Sequence, residues 1–181
     1  MEVVDEGGTS RIYTDPSIPG YICKIPKRAS SQAAASMEKE KLIHARLYNI
    51  LQGDQFAGSV IRVPKLKEHG SLYCMEQVSI DKPLSDESVW DGLTPELQEK
   101  YIQDINVFLK AAAKESMFLK DVEVFVQADS TLCFLDFGQV TSKASTRLNS
   151  AAVVPPSVVN RIKLGGKRKY RTRTRTRRRQ T

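Results

Sequence analysis

The apolar positions along the chain fall into short blocks with two different periods. Val3-Val4 and Arg11-Ile12-Tyr13 flank Gly7-Gly8 and predict a strand hairpin turning at the glycines. Tyr21-Ile22-Cys23-Lys24-Ile25 predicts a third strand, with one lysine among apolar neighbours. Ser30-Ser31 can cap a helix running to about Leu51, whose apolar positions Met37, Ile43, Leu47 and Ile50-Leu51 follow helical spacing only roughly. Ile61 to Glu68 and Ser71 to Val78 predict two more strands around His69-Gly70. The polar stretch from Asp81 to Asp91 reads as a connection with a short helix near Glu87–Trp90. Thr94-Pro95-Glu96 supplies a cap, a first-turn proline and an early acid. Leu97, Tyr101, Ile105, Phe108, Leu109 and Ala112 then form a clear stripe on the helix that follows. Val122 to Val126 and Leu132 to Leu135 predict a hairpin turning at Ala128–Thr131.

Charge divides the chain unevenly. Residues 161–181 hold eleven Lys or Arg and no acid, which leaves 17 basic against 21 acidic groups elsewhere, a net of −4. The expectation is a mildly acidic body carrying a basic, low-complexity tail that is disordered when free. Cys23, Cys74 and Cys133 each lie in an apolar run, odd in number and without metal-ligand spacing. They read as buried, reduced thiols, which fits a cytoplasmic or nuclear location rather than secretion. An acidic, glycine-containing N-terminus and the lack of a long apolar run predict no signal peptide and no membrane span.

Candidate chemistry gathers on acids. Asp136 ends an apolar strand and is followed by Phe137-Gly138. An acid at the mouth of a buried strand suits a hard cation that prefers oxygen. The hairpin before it should bring Asp121 and Glu123 beside Asp136, and clustered carboxylates call for a cation between them. Surface acids near Lys120 and Lys143 are the plain alternative. In the first helix, Glu38 or Glu40 could face the sheet and meet Lys24; equally, both could be solvated beside Lys39 and Lys41. His44 and His69 lie near no nucleophile arrangement and are assigned no chemistry.

The order of these parts resembles the protein-kinase family over about residues 3–140: glycine hairpin, strand with Lys24, helix with Glu38/Glu40, two strands, helix, hairpin, Asp136-Phe137-Gly138. Leu72 to Val78 is similar to a kinase hinge, with Met75 as gatekeeper and Glu76 to Val78 facing adenine. The resemblance implies an α+β fold with an antiparallel N-lobe sheet and one helix (1–80), a minimal helical C-lobe (81–150) and the basic tail (151–181). It implies ATP and Mg²⁺ as cofactors. Gly7 and Gly8 would cover phosphates, Lys24 would pair with phosphates and with Glu40 or Glu38, Glu76 and Val78 would meet the nucleotide, and Glu123 and Asp136 would hold metal. The departures are as informative. No His-Arg-Asp precedes the hairpin, Phe118 falls at the catalytic Asp position, Glu123 falls at the Asn position, and no Ala-Pro-Glu segment follows. Asp121 is the acid nearby that could stand in as base.

A heavily shortened, divergent kinase is the expectation, resembling small kinase-like proteins of large DNA viruses. Such a protein would work in the host cytoplasm or nucleus, or within the virion. Its function would be that of a pseudokinase or a weakly active phosphotransferase. A small-molecule kinase is a further variant. The reading from a different class is a nucleic-acid-binding or packaging protein on a non-catalytic scaffold. It would act through residues 161–181 on phosphate backbones or on an acidic protein.

Overall fold

The computed structural model describes residues 2–6, 10–70, 72–119, 122–138, 140–141 and 153–162, and its fold is α+β. Five strands form the first sheet: β1 (Glu2–Glu6), β2 (Ser10–Thr14), β3 (Tyr21–Pro26), β5 (Leu66–His69) and β6 (Leu72–Glu76). Their order is β1-β2-β3-β6-β5, antiparallel throughout. The expected glycine hairpin is present as β1–β2, although Gly7 and Gly8 themselves lie outside the described residues. Helix α1 (Ser31–Ile50) starts where Ser30 accepts a hydrogen bond from the Ala33 N–H at 3.1 Å, and it buries only Ile43, His44 and Leu47. So few buried positions explain why its periodicity is faint in the sequence.

The predicted strand Ile61–Glu68 divides in two. Pro64 has no N–H to give a ladder, so the run breaks there. β4 (Ile61–Arg62) pairs in parallel with Leu132-Cys133, while Leu66–His69 joins β6. The second sheet is thus β4-β9-β8, where β8 (Glu123–Val126) and β9 (Leu132–Leu135) are the predicted hairpin. A two-stranded ladder of β7 (Phe118–Leu119) and β10 (Val140–Thr141) completes the strands.

Short helix α2 (Glu87–Asp91) precedes long helix α3 (Pro95–Lys114), which packs on the second sheet. α3 begins as expected: the Thr94 hydroxyl caps Leu97 N–H, and Pro95 occupies the first turn, where a missing donor costs nothing. Its buried side includes Tyr101, Ile105, Phe108, Leu109 and Ala112 from the predicted stripe. Phe108 meets Phe134 edge-on at 5.0 Å, which fixes α3 over the hairpin. The Tyr101 hydroxyl donates to Ser130 O at 2.8 Å, holding the hairpin turn where Ser130 has a φ of +62°. Tyr101→Phe should therefore cost about 1 kcal/mol in urea denaturation, the value of one hydrogen bond without a cavity.

Two expectations change. Cys23 and Cys74 are directly opposite in the β3–β6 register and form a disulfide; Cys133 alone is a free, buried thiol. Neighbouring strands placed by register bring these sulfurs together, which spacing in the sequence does not reveal. Burial pushes the Cys133 thiol up to about 12, so it stays protonated. The second change concerns residues 153–162, the first part of the expected tail. Val153, Val154 and Ile162 are buried in the main core. Ser157 donates to Glu87, Asn106 donates to Arg161 O at 3.1 Å, and Arg161 pairs with Glu99, so this strap is fastened across α2 and α3. The basic run from Lys163 onward lies outside the described residues. No helix among the described residues is long and apolar enough to cross a membrane.

Candidate functional site

β3, α1 and the end of β9 converge on three charged side chains. Lys24 sits in the middle of β3, paired in register with Ile12 on one side and Tyr73 on the other. Glu40 projects from α1 and accepts a hydrogen bond from Lys24 Nζ at 2.7 Å. Asp136 follows β9, with Oδ1 3.9 Å from the same Nζ. The choice left open by the sequence resolves to Glu40: its side chain is 11% exposed, whereas Glu38 is on the solvent side.

Burial separates the roles these groups can take. Lys24 is 17% exposed and is neutralised by Glu40, while the Asp136 carboxylate is 60% exposed. A largely buried ion pair gains little net stability once desolvation is counted, so what it mainly provides is position. With one cation and two carboxylates, the group carries a formal charge of −1. That balance suits a divalent ion accompanied by an anionic ligand. Asp136 is also held at a φ of +58°, a left-handed conformation uncommon outside glycine but tolerated by Asp and Asn. The strained acid points to a local requirement of the kind found at binding sites. Gly138 is two residues on, and a Cβ there would lie 3.5 Å from Asp136 Oδ1 and 3.7 Å from Glu40 Oε2. A methyl group fits this space; a longer side chain would enter the gap between the two carboxylates.

The remaining predicted residues are placed as follows. Glu123 is the Cα partner of Leu135, so the hairpin does set it beside the residue before Asp136. Asp121, the third acid of the expected cluster, lies outside the described residues, as do Gly7 and Gly8. Among the described residues no three His, Cys, Asp or Glu side chains converge as metal ligands. A Mg²⁺ ion at Asp136 would therefore draw most of its ligands from phosphate and water, as this ion commonly does. The Glu76 side chain is committed elsewhere: it pairs with Arg62 and accepts from Lys65 N–H, which holds its carboxyl below the usual range. Its backbone N–H donates to Lys65 O at 2.9 Å. Val78, two residues beyond β6, is half-buried. Phe118, in β7, pairs with Thr141.

His44, which carries no chemistry on sequence grounds, adjoins this site. It lies one helical turn past Glu40, is 1% exposed, and is hydrogen-bonded at both ring nitrogens. Its i,i+4 spacing from Glu40 was the available signal. Burial lowers its pKa to about 4. Because the folded value lies below the unfolded one, near 6.5, the stabilisation is complete above pH 6.5 and is lost as pH falls toward 4. Its full size is about 3 kcal/mol. Urea denaturation between pH 7 and 5 should show the first part of this loss in the wild type, and a flatter profile in His44→Gln.

Chemically, the arrangement offers a fixed ammonium, a solvent-facing carboxylate and a glycine that leaves the space between carboxylates open. It can position an anion and a cation together. No protein-family model matches the chain, and no curated protein matches it in sequence.

Proposed function

We propose that the chain is a kinase-like protein that binds ATP with Mg²⁺, acting as a pseudokinase or a weak phosphotransferase. The observation that carries this reading is the convergence of Lys24, Glu40 and Asp136 from three separate elements. In phosphoryl transfer, catalysis is mostly positioning and electrostatic stabilisation, with a strand lysine, a helix glutamate and an Asp-Phe-Gly acid as recurrent parts. In this reading the sheet β1-β2-β3-β6-β5 and α1 form the N-lobe, α2, α3 and the sheet β4-β9-β8 form a reduced C-lobe, and adenine lies against the backbone of Glu76 to Val78. Binding is favoured over efficient transfer because Phe118 stands where a catalytic Asp is required. Asp121 and Glu123 are the acids on which any residual transfer would depend.

The test is thermal unfolding of the full chain with ATP, with and without Mg²⁺. A ligand that binds only the folded state at 100 times its Kd adds about 2.7 kcal/mol, a shift of several degrees. A Mg²⁺-dependent rise supports the reading. An unchanged melting temperature at millimolar nucleotide refutes it.

A second reading is favoured by the strap. Val153, Val154 and Ile162 anchor the chain to the body immediately before the basic run in sequence, and Asn106 on α3 holds Arg161 O. Its cations would bind nucleic-acid phosphates without sequence preference and with steep salt dependence. Cutting after Leu164 keeps the strap intact. Loss of DNA binding, together with a shallower salt slope, would support the tail as the binder; unchanged affinity would exclude it.

A further inference from the structure

We propose that His44 is a positioning residue, pinning α1 so that Glu40 meets Lys24 and the Asp136-Phe137 turn packs against the helix; this rests on the nucleotide-site reading above. His44 and Glu40 share one face of α1, one turn apart. The His44 Nε2 lies 2.6 Å from Pro64 O, which can only accept, so Nε2 carries the hydrogen. Nδ1 is then left with a lone pair, and the Tyr73 hydroxyl donates to it at 2.8 Å. Tyr73 is the register partner of Lys24 on β6, and its hydroxyl lies within electrostatic reach of Glu40 and Asp136. The ring also meets Phe137 edge-on at 5.2 Å, next to Asp136 in the chain. Lys39 adds a 3.5 Å bond to Val140 O on the far side of the same turn.

An apolar side chain at this position would fill the space yet supply no directional bond to fix the rotation of the helix about its axis. Two hydrogen bonds to different segments are directional and remove that freedom. Rotating α1 by one residue, about 100°, would break both and carry the Glu40 carboxylate away from Lys24. His44 thus joins the segment at Pro64, β6, α1 and the turn after β9 through one ring. It touches neither phosphate nor metal in this account and acts through Glu40 and Phe137.

The experiment measures Mg·ATP affinity of the full chain by calorimetry at a temperature where circular dichroism shows every variant folded. Tyr73→Phe removes one oxygen and retains the ring; His44→Leu keeps bulk but loses both bonds. Ile43→Ala is the control for general destabilisation, because Ile43 is buried on α1 but contacts none of these partners by hydrogen bond. Expected are losses of about tenfold in affinity for Tyr73→Phe and for His44→Leu, with the double variant no weaker than the worse single one. Ile43→Ala should lose stability while keeping the wild-type affinity. If the two hydrogen-bond variants bind as tightly as wild type, or lose no more than Ile43→Ala, His44 is only structural and the proposal fails while the nucleotide reading stands. If the wild type itself binds no Mg·ATP, both fall together.

Discussion

Asp136→Asn is expected to leave the fold intact and to weaken Mg·ATP binding roughly tenfold to a hundredfold, the worth of a charge-assisted contact. The substitution keeps shape, and Asn tolerates the left-handed φ of +58° as well as Asp does. At 60% exposure the side chain contributes little to packing, so stability should move by no more than about 0.5 kcal/mol. What is lost is the open carboxylate that a cation would use. Titration of ATP with and without Mg²⁺ reads this directly: the wild type should bind more tightly with the metal, and the variant should bind alike in both. Lys24→Ala is a less clean probe, because it strands Glu40, which is only 11% exposed, without its cation. Removing one partner of a buried pair commonly costs about 3–5 kcal/mol. Lys24→Met combined with Glu40→Gln removes both charges and should retain more stability while abolishing nucleotide binding.

The second large effect is on stability. Opening the Cys23–Cys74 bridge releases a constraint across 51 residues of the unfolded chain. On the chain-entropy account this costs about 4 kcal/mol. Cys23→Ala with Cys74→Ala should therefore lower the urea midpoint sharply, and the wild type in excess dithiothreitol should approach the same value. A difference below about 1 kcal/mol would mean that the bridge does not constrain the unfolded chain. Both cysteines are buried with Ile18 in a small cluster separate from the main core, so the bridge also joins the two strands that carry Lys24 and Tyr73.

Local signals in the sequence go far where local physics decides. Thr94-Pro95-Glu96 and a six-residue stripe define α3, and two apolar runs around the Ala128–Thr131 turn define the β8–β9 hairpin. Lys24 and Asp136 are legible as a lysine isolated among apolar residues and an acid ending an apolar run. Non-local pairing escapes the same reading. Ile61-Arg62 finds its partner in Leu132-Cys133, about seventy residues later, and nothing local distinguishes it from the strand that resumes at Leu66. The Cys23–Cys74 bridge depends on the β3–β6 register rather than on sequence spacing. The sequence does not separate Glu38 from Glu40, because α1 buries too few residues to mark its inner face. A single histidine on a helix carries no signal in the sequence; His44 stands out only through the bonds at both its ring nitrogens. Val153-Val154 and Ile162 precede a basic run and lack periodicity, so their burial is a consequence of tertiary packing alone.

The central claim is that Lys24, Glu40 and Asp136 form a nucleotide and metal site. Calorimetric titration of the full chain with ATP, in Mg²⁺ and in EDTA, tests it most directly. The account predicts one site per chain, tighter with Mg²⁺, and loss of the metal effect in Asp136→Asn. No heat of binding at millimolar ATP in either condition, or affinity that neither Mg²⁺ nor Asp136→Asn alters, would contradict it.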